Sequence, residues 1–248
     1  MAIRRNSSGS GLTRECIRLM ARKDPLEDIR RLYDAFDSPV TRLDCGRKCA
    51  PFNPVGKPFC CDICHAVPAV YDEEWDYLKR NTDLWHPWRG DECPDSEGVL
   101  RLKDETPDGM ALLTCKGPAL CQRNFRALSC RQFPFFPYVT ADYRFLGLAY
   151  EWEFEDRCWL ISNLHRVSQS YRSQFVDRHD VLFAQRQEIF ENYAYHSERM
   201  RELYVERRRR IPLLHRNGDD YLVSPASGRL ARAPSIQFPR FGPYRAEN

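Results

Sequence analysis

Eleven cysteines are the residues in this chain best suited to chemistry. Eight of them fall into two groups, Cys45-x3-Cys49-x10-Cys60-Cys61-x2-Cys64 and Cys115-x5-Cys121-x8-Cys130, the second running on into Arg131-Gln-Phe-Pro134. A thiolate is a soft ligand that suits zinc, copper(I) and iron–sulfur clusters. Thiols a few residues apart on irregular backbone can close around one metal, and Gly46, Pro51, Pro54 and Gly56 mark such backbone in the first group. Free cysteine is often simply buried. That accounts for one or two residues, not for five within 20 positions of a polar loop. The candidate metal ligands are therefore Cys45, Cys49, Cys60, Cys61, Cys64, Cys115, Cys121 and Cys130. Cys16 and Cys93 read as incidental, while Cys158 and His65 are reserve ligands.

The spacing says less about which metal. Zinc fingers carry two short CxxC-type pairs, and the only such pair here is Cys61–Cys64. Ferredoxin spacings are absent as well. Neighbouring side chains diverge, so Cys60 and Cys61 point to two metals or to different corners of one cluster. The expected cofactor is an iron–sulfur cluster, with a 4Fe-4S cluster favoured, or zinc.

The totals restrict the setting. The chain has 248 residues, 38 basic and 35 acidic side chains, and a net charge of +3. This balance gives no support for nucleic-acid binding from bulk charge. The run Arg207–Arg210 reads as a solvated helix end, suited to the negative pole of the helix dipole. No apolar run approaches the roughly 20 residues of a membrane-spanning helix. The first residues lack the apolar stretch of a secretory signal, so the expected location is cytoplasmic. In a reducing compartment thiols stay free or bind metal, and disulfides are rare.

These residues need elements to position them. Residues 1–12 read as disordered. A helix is signalled over Asp24–Phe36, with Asp24 as cap, Pro25 first and Glu27 completing a capping box. Residues 38–68 read as a loop. A second helix is expected at Asp72–Arg80, capped by Asp72, with Trp75 and Leu78 inward. Capping and the helix dipole account for Asp72, Glu73 and Glu74. Residues 82–110 read as a polar surface excursion. Phe145–Phe154 alternates as a half-buried strand, with Tyr138–Thr140 placed to pair across Ala141–Tyr143. A short helix is expected over 160–175, and a long one from Asp180 to about Arg209. Tyr221–Ala231 reads as a hairpin turning at Pro225–Gly228. His165, His179, His196 and His215 read as helix-surface residues. The fold class is α+β, mostly helical, with irregular metal-bearing loops, a small antiparallel β-hairpin and a long C-terminal helix. Three regions follow: 1–38, a tail and helix; 39–160, the cysteine-cluster domain; and 161–248, a helical region with hairpin and tail.

At the cysteines the chain resembles the YkgJ family, described as zinc- or iron-chelating cysteine-cluster domains. The resemblance lies in the pair Cys60–Cys61, the acidic helix start Asp72-Glu73-Glu74-Trp75, and Cys121-Gln-Arg-Asn-Phe-Arg-Ala-Leu-Ser-Cys130-Arg131-Gln-Phe133-Pro134. It covers about residues 40–160. Ala127 stands where the family has proline, and the Cys49–Cys60 interval is longer than usual. The resemblance implies a metal-chelating function. Flagellin lysine N-methylases are similar in their cysteine group, which implies an alternative: methyl transfer to protein lysines from S-adenosylmethionine. No glycine-rich nucleotide fingerprint and no radical S-adenosylmethionine spacing accompanies it. A further alternative is a zinc-stapled interaction module whose helix 180–209 docks a protein partner. Arg131, beside a thiolate-rich site, is the candidate for hydrogen bonding to sulfur and offsetting its charge. Phe133, Phe135 and Phe136, with Pro134 and Pro137, are expected to wall the site from water.

Overall fold

The computed structural model describes residues 25–246. The expectations for residues 1–12, Cys16, the Asp24 cap and the side chain of Glu27 lie outside the described residues. The class is α+β, with helices set against two antiparallel sheets.

The first half builds the smaller layer. Helix α1 (Pro25–Ala35) buries Ile29 and Tyr33 and packs on α3 (Asp72–Asn81). Between them lie the short helix α2 (Cys45–Cys49) and 3-10 turns at Ala50–Phe52 and Phe59–Cys61, so the 38–68 stretch is partly ordered into helical turns. Strands β1 (Ala69–Tyr71), β2 (Trp85–Pro87) and β3 (Met110–Cys115) form a sheet in the order β1-β3-β2. Residues 82–110 are therefore no simple surface excursion. They hold β2 and helix α4 (Ser96–Glu105), whose cap is Asp95, accepting from Gly98 N at 2.9 Å. Asp72 is the first residue of α3 rather than its cap, which is Tyr71. Trp75 is only partly covered, and the residues α3 buries are Glu74 and Leu78.

The second half builds the larger layer. Helix α5 (Leu128–Gln132) leads into β4 (Phe135–Val139) and β5 (Phe145–Tyr150). Then come α6 (Gln169–Gln185), α7 (Gln187–Glu206), β6 (Ile211–His215), β7 (Asp220–Val223) and β8 (Leu230–Arg232). The five strands pair in chain order as an antiparallel sheet. Gly147 lets β5 and β6 meet. Its φ is +144°, and a Cβ there would collide with the Leu214 carbonyl.

Three expectations change here. First, β5 is buried at all six positions, not half-buried. Helix α6 packs on it, and Phe241 from the C-terminal segment lies 6.2 Å from Tyr150. Second, Trp152–Phe154 leaves the strand as a 3-10 turn. Third, the long helix is two. Arg186, at φ −138° and ψ 94°, breaks it, and the first part begins at Gln169, capped by Ser168. The break lets α6 and α7 fold back on each other. Phe183 and Phe190 then meet at 5.0 Å, and His179 and Tyr193 at 5.7 Å. One straight rod could not make these contacts. The apolar stripe of α7 is covered by β4, with Ser197 and Arg201 bonded to Val139. His179 is wholly buried rather than on the helix surface.

Candidate metal centre

Each thiol is placed by a short, sharply turning segment. Cys45 and Cys49 stand one helical turn apart on α2 and so share a face. Asp44 caps that helix, and Pro58 lies over Gly46. Cys60 and Cys61 occupy a 3-10 turn, with sulfurs 4.0 Å apart. Cys115 ends β3, and its sulfur accepts from Gly117 N at 3.4 Å. Cys121 follows the turn Pro118–Leu120, and Cys130 lies in α5. Cys158 ends the turn after Trp152–Phe154, its N–H bonded to Phe154 O at 2.8 Å. A cleft of about 1230 Å³ is lined by Cys45, Cys49, Cys60, Cys61, Cys130 and Cys158. Cys115 and Cys121 do not line it; Cys61 acts on the Cys115 thiol, and Cys121 is bonded to Arg126, which does line the cleft.

Cys64 departs from the expected ligand set. It forms a disulfide with Cys93, with Cα atoms 5.3 Å apart. A disulfide sulfur carries no thiolate, so neither residue is available in this form. Cys93, set aside as incidental, is its partner because the 82–110 segment folds back over the first cysteine loop. Cys158, held in reserve, is instead one of the eight free thiols among the described residues. His65 turns to Asp62 at 3.7 Å and rests on the Phe59 ring at 5.3 Å.

The arginine role also shifts. Among the described residues Arg131 bonds to backbone carbonyls, through Nε to Arg126 O and through its terminal nitrogens to Tyr33, Phe36 and Asn124. Its guanidinium stacks 4.3 Å from the centre of the Tyr33 ring. The arginine that reaches sulfur is Arg126, whose Nε donates to Cys121 Sγ at 3.3 Å. Burial works against its charge, but Cys121, Cys61 and Cys130 outweigh burial and hold its pKa above the ordinary value. The sequence signal for Arg126 was its place between two cysteines. The motif beside Cys130 drew attention to its neighbour instead.

Burial sets the protonation of the metal-free thiols. It raises Cys45 to about 11 and Cys158 to about 12. It also raises Cys49, Cys115 and Cys130. Cys61 goes the other way, down to about 7, because Cys60 donates a hydrogen bond to its thiolate and Arg126 stands near. That same bond, together with burial, drives Cys60 well up. Cys61 is thus the thiol lowered among neighbours that burial raises.

A buried carboxylate supports this arrangement. Glu74 Oε1 accepts from Tyr33 OH at 2.8 Å and from Leu128 N at 2.6 Å. Leu128 opens the helix that carries Cys130, so Glu74 satisfies one of its free N–H groups. Helix-start statistics could not reveal this, because both partners are distant in sequence.

The donor set fits a soft metal. Zinc with thiolates at about 2.3 Å places its four sulfurs about 3.8 Å apart. Cys60 and Cys61 stand near that distance. Among the described residues no group of three or more Cys, His, Asp or Glu converges closely enough to hold a single ion. A four-iron cluster is larger than one ion and spreads its ligands farther. No protein-family profile, curated protein or solved structure matches the chain. No helix among the described residues is long and apolar enough to cross a membrane.

Proposed function

We propose that this chain is a metal-binding cysteine-cluster protein of the YkgJ type, holding iron–sulfur chemistry in preference to zinc. The observation that supports this reading is the gathering of six of the eight free thiols among the described residues, from segments as distant as Cys45 and Cys158, around one cleft. Packing alone would have no reason to bring so many thiols to one place. Cysteine supplies the bonds to iron, Arg126 offsets thiolate charge at Cys121, and Phe133 beside the cleft limits water. A bound cluster would supply electron storage or a Lewis-acidic iron. The chain's own residues hold its ligands, restrict solvent and balance charge.

The test is anaerobic purification followed by measurement of iron, zinc and acid-labile sulfide. Stoichiometric iron with sulfide and a broad visible absorbance supports a cluster. Stoichiometric zinc in a colourless protein moves the reading to zinc. Folded protein with neither metal, before and after reconstitution, refutes it. Cys130→Ser is expected to lower both metal content and stability, because metal binding is coupled to folding.

A further inference from the structure

The eight thiols are not evenly mixed. Cys60 and Cys61 sit on a 3-10 turn, where successive side chains point about 120° apart. Cys60 lies among Cys158 and Cys45. Cys158 in turn lies near Cys45 and Cys49. On the other side Cys115 lies near Cys61 and Cys121, and Cys130 near Cys115 and Cys61. Across the divide Cys61 acts on Cys49, and Cys60 and Cys130 line one smaller cavity.

Packing draws the same line independently. Cys45, Cys49 and Cys158 belong to the core around the five-stranded sheet. Cys115 and Cys130 belong to the separate core around the three-stranded sheet. The cysteine pair therefore stands at the seam between two layers, with one thiol available to each.

We propose that the free thiols form two four-cysteine metal centres that meet at Cys60–Cys61. Cys45, Cys49, Cys60 and Cys158 hold one iron–sulfur cluster, and Cys61, Cys115, Cys121 and Cys130 hold the other. This rests on the metal-binding reading and adds the number and membership of the sites. Four thiolates complete the ligand set of a 4Fe-4S cluster, and the eight free thiols among the described residues supply two such sets. Arg126 belongs to the second centre, where it bonds Cys121.

The experiment uses the full chain, reconstituted anaerobically with ferrous iron and sulfide. Two clusters give about eight irons and eight sulfides per chain. In the double variant Cys45→Ser/Cys158→Ser and in Cys115→Ser/Cys121→Ser, the content falls to about half, and each retains a different half of the wild-type visible and paramagnetic spectrum. A wild-type content of about four irons, or the same complete loss in both variants, overturns the partition and leaves metal binding intact. Absence of any metal overturns the metal reading and this proposal with it.

Discussion

Glu74→Ala isolates the support beneath the thiols. The carboxylate is about 1% exposed and receives two hydrogen bonds, from Tyr33 OH and Leu128 N. Removing it strands both donors inside the protein. Each stranded buried donor costs about 1–3 kcal/mol, so the expected loss is about 4 kcal/mol. For a chain of this size that corresponds to a fall in Tm of about 8–16 °C. Glu74→Gln keeps an oxygen in place and is expected to cost less than about 1 kcal/mol. The assay is thermal and urea unfolding of the metal-free proteins, with alkylation of Cys130 followed in parallel. Leu128 sits two residues before Cys130 on the same short helix. Cys130 is therefore expected to react faster in Glu74→Ala and at the wild-type rate in Glu74→Gln. Equal stability of the alanine and glutamine variants refutes the argument, since only alanine strands the donors.

Three further outcomes are expected. Arg126→Leu removes the donor to Cys121 and lowers metal affinity by about 10- to 100-fold. Competition with a chelator measures this, and Arg131→Leu shows a stability loss first. Cys64→Ser/Cys93→Ser leaves the metal content unchanged, while loss of a crosslink spanning 29 residues costs about 3–4 kcal/mol in oxidised protein. Reduced metal content in that variant returns Cys64 to the ligand set. His179 is buried among Phe175, Phe183 and Phe145, and burial holds its pKa well below the ordinary value. The unfolded chain therefore takes up a proton at this residue below about pH 6.5 while the folded one does not. Its share of stability is present above that pH and falls by up to about 1.4 kcal/mol per pH unit below it. His179→Leu is expected to flatten the urea-midpoint profile in that range.

The elements that residue order reveals are those set by local pattern. Ile29, Tyr33 and Phe36 recur at helical spacing, and all three are buried. The cysteine groups stand out because type and spacing are written along the chain. Partnership between distant segments is not written there. Cys93 meets Cys64 only because α4 and its flanking loops fold back. Glu74 looks like any acidic residue at a helix start until Tyr33 and Leu128, 41 and 54 positions away, come to it. Arg207 and Arg209 look like a solvated helix end, yet both turn to Glu155, and Arg209 does so with two bonds of 2.8 Å. Strand β6 hides behind Pro212, which local propensity reads as a break and a sheet partner accommodates. The break at Arg186 is likewise set by what Phe183 and Phe190 gain on meeting, not by a proline or glycine.

Arg131 ties the beginning of the described chain to the thiols. Its terminal nitrogen takes the carbonyls of Tyr33 and Phe36, 98 and 95 residues away, at the end of α1. Tyr33 O also accepts from Phe36 N at 3.4 Å, and the residue next to Cys130 supplies a shorter bond at 2.8 Å. Helix α1 and the Cys130 segment are thereby one opening unit in the sense of local unfolding. Undocking the first helix frees the guanidinium that anchors α5. Amide exchange at the end of α1 and solvent access to Cys130 then share one equilibrium, so a ligand that closes either end slows both.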